Sequence, residues 1–391
     1  MTDLYVAAGG GGDPIGTLIA ARTITVDPDP PLIATYAWER PEVDPTPRPL
    51  GEGDFAGLVR GVGGVTGAGG ASRASRASRV GTAGAAGRDD GAGEARRSGG
   101  ADAAAVFTPA TRARPPAGST MPGLARDMPV RLLLLDPAQG LSALARRIAS
   151  MAGAAGGRIR IVDIGGDILT HGNEPTLCSP FGDALTLAAC HLTGIPTTVY
   201  VAGPGLDGEI PEHLLLERLT GCHPLTPGVD AVTAAARALA WHPSEASALW
   251  AGAIHGARGT VRAVNHTVRL TEASPRLYHL PAEAAIGHNP VAQALLEERP
   301  ATLEAAADLS HRLTGIHGLA HERSRAPRHE PPAGGTAFLD RDGVMKTLRE
   351  AAGGADHATF RYAARTLGLI WTDIPALRDV LGTGAPLLRL T

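Results

Sequence analysis

The chain has 391 residues, which allows two or three domains. It carries a formal net charge of −3 with 43% hydrophobic and 4% aromatic residues, so Leu, Val, Ile and Ala must fill the core. This charge predicts neither a specific nucleic-acid partner nor an anionic membrane surface.

The cysteines and the apolar runs indicate in which cellular compartment the protein is expected. Cys178, Cys190 and Cys222 have neither disulfide-framework nor zinc-site spacing, which is typical of a reducing cytosol. No apolar run approaches the roughly 20 residues of a membrane span, and the first residues lack the pattern of a secretory signal. We therefore expect a cytoplasmic protein without a membrane partner, and its composition is compatible with a homo-oligomer.

Residues 1–40 predict the opening of an α/β domain. The apolar run at 4–8 predicts a buried strand that ends at Gly9. Apolar residues at helical spacing follow the glycine run, and PLIATYAW at 31–38 predicts a second strand.

Residues 41–128 are rich in Gly, Ala, Arg, Ser and Pro and include the tandem SRASRASR at 72–79. Such a composition buries too little apolar surface to offset its ordering entropy, so it predicts a disordered insertion within the domain.

Strand-like and helical patterns alternate after the insertion, from 129 to 320. Strands are predicted at 129–136, 158–166 and 197–205, with helices at 140–152 and 179–195. Short Gly-rich links between them predict βαβ units. The fold class is therefore α/β and Rossmann-like, a mostly parallel sheet with helices on both faces.

Helical patterns dominate the later part of the chain. The segments 264–270 and 274–280 interrupt them and predict a small β-hairpin. Residues 321–391 predict a polar loop followed by a small helical C-terminal extension.

The glycine run between the first strand and helix is the first candidate site. Its backbone N–H groups and the helix N-terminus would favour phosphate or carboxylate, although the spacing matches neither GxGxxG nor GxxxxGK[ST]. The alternative is a tight turn in which the aspartate caps the helix ahead of Pro14. The candidate cofactor-binding residues here are Gly9, Gly10, Gly11, Gly12 and Asp13.

The second candidate site follows the strand at 158–166, in the stretch IVDIGGDILTHGNE. Ligands bind at the carboxyl ends of strands in open α/β sheets, and Gly165 and Gly166 let a ligand approach the backbone. Ser179 is predicted to cap the next helix. The candidate catalytic residues are Asp163, Asp167, Glu174 and Asp183.

Several carboxylates at one sheet edge suit three kinds of chemistry. They can bind a hard cation such as Mg²⁺, for which Asp163 and Asp167 are the candidate ligands, or they can hold hydroxyl or amine groups. Their mutual repulsion can also keep one carboxyl protonated as a general acid. The structural alternative is that the aspartates cap turns.

A third glycine and acid loop follows the strand at 197–205. It adds the candidate cofactor-binding residues Gly203, Gly205 and Asp207 to Gly165 and Gly166 of the second site. This loop could equally be a turn whose acidic residues favour the start of a helix.

Three stretches together resemble a known family. VAAGGGGDPIGT, VDIGGDILTHGNEPTLCSPFGDALTLAA and VAGPGLDGEIP are similar to archaeal and actinobacterial proteins grouped as domain of unknown function 1152. The resemblance covers most of the chain outside the low-complexity tract. It implies an α/β domain in which the stretches Gly9–Asp13 and Asp163–Asp183 act together, and it implies no particular reaction.

We expect an enzyme, of the hydrolase or lyase class, that acts on a small polar metabolite of anionic, nucleotide-like or amino-acid-like character. The glycine loop would hold the anionic group, and the acidic loop would supply acid–base or cation-assisted chemistry with Mg²⁺ or a nucleotide as cofactor. The alternatives are a non-catalytic module that binds or senses a nucleotide or metabolite, and a pure interaction protein.

Overall fold

The computed structural model describes residues 3–61 apart from 26, 28 and 47, together with 104–319 and 340–391. The described strands are β1 (Leu4–Ala7), β2 (Leu32–Tyr36), β3 (Phe55–Ala56), β4 (Val59–Arg60), β5 (Ala105–Val106), β6 (Arg112–Ala113), β7 (Arg131–Leu135), β8 (Ile159–Ile164), β9 (Thr197–Ala202), β10 (Gly259–Arg262), β11 (Thr267–Leu270), β12 (Leu277–Pro281), β13 (His357–Ala358) and β14 (Leu388–Arg389).

The described helices lie between and after these strands. They are α1 (Asp13–Ile24), α2 (Met121–Asp127), α3 (Gly140–Ala155), α4 (Pro180–Leu192), α5 (Glu212–Arg218), α6 (Val229–Thr233), α7 (Ala236–Leu239), α8 (Glu245–Ile254), α9 (Ala282–His288), α10 (Pro290–Glu298), α11 (Leu303–Thr314), α12 (Arg341–Ala351), α13 (Phe360–Thr366) and α14 (Ile374–Leu381).

An eight-stranded sheet forms the centre, in the order β12-β9-β8-β1-β2-β7-β5-β4. The five strands from β9 to β7 are parallel, and antiparallel strands close both edges. Taken in chain order, the five parallel strands have the doubly wound arrangement 5-4-1-2-3, so the predicted Rossmann-like fold is confirmed. The strand order reverses between β1 and β8, and their carboxyl ends form the topological switch point.

Apolar side chains on both faces of β1 explain why this strand is central. Leu4 and Val6 face the core beneath α3, α4, α10 and α11, whereas Tyr5 and Ala7 face the core beneath α1, α2 and α8. All four are at most 1% exposed. A strand buried on both faces is typical of a parallel sheet covered by two helical layers.

The predicted disordered insertion at 41–128 differs from the structure at both ends. Residues 41–61 and 104–128 contain β3 to β6 and α2, and Phe55 packs edge-on against Phe107 at 5.1 Å in the core. The disorder prediction is therefore wrong for these two segments, because a few apolar residues in a polar stretch are enough to join an existing core. Residues 62–103 lie outside the described part of the chain.

The predicted hairpin at 264–270 and 274–280 is also wrong. β11 pairs with β10, and β12 pairs antiparallel with β9 at the edge of the main sheet. There, Leu277 and Leu280 are buried in the two cores on opposite faces of the sheet. Burial beside β9 thus decides the partner of β12.

The predicted helical C-terminal extension is present as α12 to α14, which have their own apolar core. β13 and β14 extend β10 and β11 into a four-stranded sheet. Arg361 of α13 pairs with Glu42 at 2.6 Å and with Glu245 at 3.3 Å, which joins the extension to the main domain. The predicted polar loop at 321–335 lies outside the described residues.

None of the helices in the described ranges combines the length and apolar character that a bilayer crossing requires.

Candidate functional site

Three buried carboxylates meet at the switch point. Asp163 is the penultimate residue of β8, Asp167 begins the 3₁₀ turn Asp167–Leu169, and Asp183 lies in the first turn of α4. They are 2%, 6% and 5% exposed, respectively. One carboxylate oxygen from each lies within 4.8 Å of the other two, which is a spacing that can hold a metal ion. We call these three residues the inner carboxylates.

Local backbone geometry explains how the sequence brings them together. Gly165 and Gly166 have φ values of +128° and +109°, which turn the chain sharply after β8 and return Asp167 over the end of the strand. The backbone N–H of Ile168 then donates to Asp163 Oδ2 at 3.2 Å. This turn therefore orients two of the inner carboxylates.

Helix α4 carries the third inner carboxylate into place. Thr186 of α4 donates its hydroxyl to the carbonyl oxygen of Ala8, just beyond β1, at 2.7 Å. This buried hydrogen bond holds α4 against the end of β1 at a point three residues after Asp183. Asp183 Oδ1 is buried and has no hydrogen-bond partner within the described residues.

Two further aspartates flank this group, and we call Asp13 and Asp207 the flanking carboxylates. Asp13 Oδ2 accepts hydrogen bonds from the N–H groups of Gly9 at 2.9 Å and Gly10 at 3.2 Å. Asp207 Oδ1 accepts from the N–H of Glu209 at 3.0 Å, whereas its Oδ2 is buried without a partner among the described residues.

Burial makes the ionisation of these groups unfavourable. Burial, with a contribution from Asp13, raises the pKa of Asp163 to about 7. Burial and then Asp183 raise the pKa of Asp167 well above its usual range, while burial and then Asp163 do the same for Asp183. These carboxyl groups need either protons or a cation to coexist in this space.

The flanking carboxylates follow the same rule. Burial raises the pKa of Asp13 to about 6, against the lowering effect of hydrogen bonds from Gly9 and Gly10 and of Arg40. Burial, followed by the charge of Glu209, raises the pKa of Asp207 well above its usual range. The switch point therefore combines five carboxyl groups that are costly to ionise.

The structure does not bring Glu174 into this group. Its carboxylate pairs with Arg218 at 2.7 Å and accepts from the Thr170 hydroxyl at 2.6 Å and the His171 N–H at 2.8 Å. Although burial acts in the opposite direction, these hydrogen bonds lower the pKa of Glu174 to about 2. Glu174 therefore holds the loop after β8 in shape rather than contributing a proton.

The glycine loop is only partly available to an anion. The N–H groups of Gly9 and Gly10 are occupied by Asp13, which is the first residue of α1 rather than its N-cap. The N–H groups of Gly11 and Gly12 make no hydrogen bond to any described residue. The predicted anion-binding loop is thus reduced to two donors beside an acidic group.

Gly203 and Gly205 shape the third loop. Their φ values of +58° and +79° form a tight turn after β9, and the Gly205 N–H donates to the carbonyl oxygen of Gly165 at 2.6 Å. Both residues are buried. They position Asp207 rather than present backbone groups to a ligand.

Glu209 belongs to the third glycine and acid loop, but it is not among the predicted site residues. Its carboxylate accepts from the N–H groups of Cys178 and Ser179 at 2.9 Å and from the Ser179 hydroxyl. Ser179 is the N-cap residue of α4, as predicted, but its hydroxyl donates to Glu209 and makes no cap hydrogen bond to the helix. The position of Glu209 two residues after Asp207 is the only sequence signal for this role.

A histidine network beside the glycine loop is structural. His242 Nδ1 accepts from the Ser244 N–H at 3.1 Å, so Nε2 carries the proton and donates to the Thr120 hydroxyl at 3.0 Å. The Thr120 hydroxyl in turn donates to Glu39 at 2.8 Å. Burial lowers the pKa of His242 to about 3. A ring with this proton arrangement cannot act as a base towards Thr120.

Comparison with known proteins identifies the family. A family model described as "Protein of unknown function (DUF1152)" matches residues 4–86 and 97–326. The chain belongs to this family. The predicted resemblance is thereby confirmed, and the match to this DUF1152 chain includes all inner and flanking carboxylates. No curated protein and no solved structure matches the chain.

Proposed function

We propose that this DUF1152 chain is an enzyme of the hydrolase or lyase class that acts on a small polar metabolite with the help of a divalent cation. The observation that carries the proposal is the grouping of the inner carboxylates, whose oxygens lie within 4.8 Å of one another. A buried carboxylate oxygen without a partner, such as Asp183 Oδ1, costs free energy unless something binds it.

A hard divalent cation is the ligand that suits this donor set. Mg²⁺ and Ca²⁺ prefer oxygen ligands and are commonly held by a few aspartates, with water or substrate completing the shell. A cation here would polarise a substrate oxygen or lower the pKa of a bound water. The flanking carboxylates would then serve to accept or deliver protons beside it, because burial keeps their pKa values high.

The two unoccupied backbone donors limit how many anionic groups of a substrate the glycine loop can hold. The N–H groups of Gly11 and Gly12, at the N-terminus of the twelve-residue helix α1, favour one phosphate or carboxylate group. Asp13 excludes an anion from the Gly9 and Gly10 donors, since its own carboxylate already occupies them. We therefore propose an amino-acid-like or nucleotide-like metabolite with a single anionic group in the glycine loop, and the cytoplasm as its compartment.

Thermal unfolding of the full chain tests the proposal. Chelator-treated protein would be screened with Mg²⁺, Mn²⁺ and Ca²⁺, and then with nucleotides, amino acids and sugar phosphates in the presence of the stabilising cation. A ligand at 100 times its dissociation constant adds about 2.7 kcal/mol to the free energy of unfolding. Hits are then assayed for turnover.

Matched variants separate the site from general cation effects. The double variant Asp163→Asn, Asp167→Asn should lose the cation-dependent stabilisation, while Asp230→Asn at an exposed position of α6 should retain it. Equal stabilisation of all three proteins would contradict the proposal.

Binding without turnover is the second candidate function, and the burial of the inner carboxylates favours it. Residues exposed by 2–6% leave little room for a substrate to reach a cation directly. A module of this kind would bind its metabolite with cation-dependent affinity and show no product over many turnover times. Product formation by the wild type that is lost in Asp183→Asn would favour the enzyme over the binding module.

A further inference from the structure

Glu39 is buried beside the glycine loop with one of its two carboxylate oxygens unsatisfied. It lies shortly after β2 and is 4% exposed. Its Oε1 accepts hydrogen bonds from the Thr120 N–H at 2.7 Å, the Thr120 hydroxyl at 2.8 Å and the Ser119 hydroxyl at 3.1 Å. Its Oε2 accepts none from the part of the chain that the structure describes. A buried oxygen in this state costs free energy unless a donor binds it.

The unsatisfied oxygen lies close to the backbone of the glycine loop. A Cβ atom on Gly11 would lie 3.9 Å from Glu39 Oε2 and 3.5 Å from the carbonyl oxygen of Trp38. The Trp38 carbonyl oxygen likewise accepts no hydrogen bond from any described residue. Gly11 has a φ of +53°, which favours glycine, so no side chain occupies this position. Two acceptors therefore lie around the space that a side chain would fill.

The same loop also carries two donors. The N–H groups of Gly11 and Gly12 make no hydrogen bond within the described ranges, and they lie at the N-terminus of the twelve-residue helix α1. A ligand that satisfies both the donors and the acceptors must carry an anionic group and a donor group within a few ångströms of each other.

The charges around the loop favour an ammonium group as that donor. Asp13 already occupies the N–H groups of Gly9 and Gly10, and Glu39 is a second carboxyl group beside the loop. Burial raises the pKa of Glu39, and the charge of Asp44 acts in the same direction. A positive charge on the ligand would offset the cost of an ionised Glu39, which a hydroxyl group would not do. A phosphate monoester, with about two negative charges, would add to the repulsion.

We propose that the glycine loop binds the amino and carboxylate groups of an α-amino acid. The carboxylate accepts from the N–H groups of Gly11 and Gly12. The ammonium group donates to Glu39 Oε2 and to the Trp38 carbonyl oxygen. Both groups of an α-amino acid are attached to one carbon atom, which suits donors and acceptors arranged around a single glycine. The inference rests on the proposed function for the anionic group in the loop, and it makes Glu39 the residue that selects an amino acid over a nucleotide.

Calorimetric titration of the chelator-treated full chain tests this inference without a cation, and a second titration adds Mg²⁺. The probes are the standard amino acids together with 2-hydroxy acids of the same side chain, such as alanine with lactate and aspartate with malate. We expect at least one amino acid to bind, and to bind at least about tenfold more tightly than its hydroxy acid, because a hydroxyl group cannot replace a charged hydrogen bond.

Two variants locate the ammonium group. Glu39→Gln keeps an acceptor for Ser119 and Thr120 and places an amide N–H where Oε2 was, so it should lose the preference for the amino acid over its hydroxy acid. Gly11→Ala fills the space at ordinary contact distances and should weaken binding of the amino acid at least about tenfold. The control Glu297→Gln, at an exposed position of α10, should bind like the wild type. Circular dichroism and the melting temperature verify that each variant is folded.

The outcomes distinguish this inference from the proposed cation site. Equal binding of amino acid and hydroxy acid by the wild type, or an unchanged preference in folded Glu39→Gln, would overturn the role of Glu39. Absence of binding by every amino acid, with and without Mg²⁺, would overturn the inference and leave cation binding at the inner carboxylates to its own test. Selective amino-acid binding by a chain that no cation stabilises would support the inference and contradict the proposed cation.

Discussion

Replacing Asp163 by Asn tests the electrostatic cost of the site. Burial raises the pKa of Asp163 to about 7 in the folded chain, whereas an aspartate in the unfolded chain titrates near 3.9. Between these values the folded chain keeps a proton that the unfolded chain has released. Stability contributed by this group is therefore lost as the pH rises towards 7, and an asparagine that does not titrate avoids the loss.

The size of the stability gain expected for Asp163→Asn follows from the raised pKa of Asp163. Each pH unit in the window changes the free energy of unfolding by about 1.4 kcal/mol per group, so the two units from pH 5 to pH 7 amount to about 3 kcal/mol. We predict that Asp163→Asn gains about this much stability relative to the wild type between pH 5 and pH 8. Urea unfolding in the presence of a chelator measures it at both pH values.

The quantity to compare across pH is the difference in free energy of unfolding between Asp163→Asn and the wild type. Burial lowers the pKa of His242 to about 3, so this group adds stability as the pH rises from about 3 to 6.5, against the effect of Asp163. That contribution is common to both proteins and cancels in the difference. Asp230→Asn, the same substitution at an exposed position, is the control. A constant or decreasing advantage of Asp163→Asn from pH 5 to pH 8 would refute the reasoning.

Two further substitutions test the loops that carry the carboxylates. Arg218→Met should lower the free energy of unfolding by about 3–5 kcal/mol in urea, since it leaves Glu174 buried without its cation, whereas Arg312→Met in an exposed pair should cost less than about 1 kcal/mol. Equal costs would argue against a special role for the buried pair. Gly165→Ala should lower the melting temperature, because φ is +128° and the new Cβ would lie 2.2 Å from a carboxylate oxygen. Wild-type melting of this variant would contradict the close packing of the two loops.

The strands that position the site could be predicted from the sequence because they are buried on both faces. RLLLL in β7 and IRIVDI in β8 are mostly apolar runs, which are typical of a parallel sheet between two helical layers. Once β8 was identified, the carboxyl-end rule placed Asp163 at the ligand edge. The structure confirms the fold and brings Asp167 and Asp183 to the same point.

The details that the sequence reasoning missed depend on contacts between distant parts of the chain. Glu174 looked like a site residue, but its partner Arg218 comes from α5 and neutralises it. Asp13 was predicted either to contact a ligand or to cap α1, yet its carboxylate turns back to the N–H groups of Gly9 and Gly10. Local patterns indicate which residue types gather at an edge, and only the packing decides which of them remain without partners.

The central claim is that the inner carboxylates bind a divalent cation in exchange for protons. Calorimetric titration of chelator-treated full chain with Mg²⁺ at pH 6.5, in two buffers of different ionisation enthalpy, measures both the affinity and the number of protons released. Because burial raises the pKa of Asp163 to about 7, and burial also raises the pKa values of Asp167 and Asp183 well above their usual range, we predict binding with net release of at least one proton. We also predict its loss in the Asp163→Asn, Asp167→Asn variant. Absence of binding, or binding without proton release, would contradict the claim.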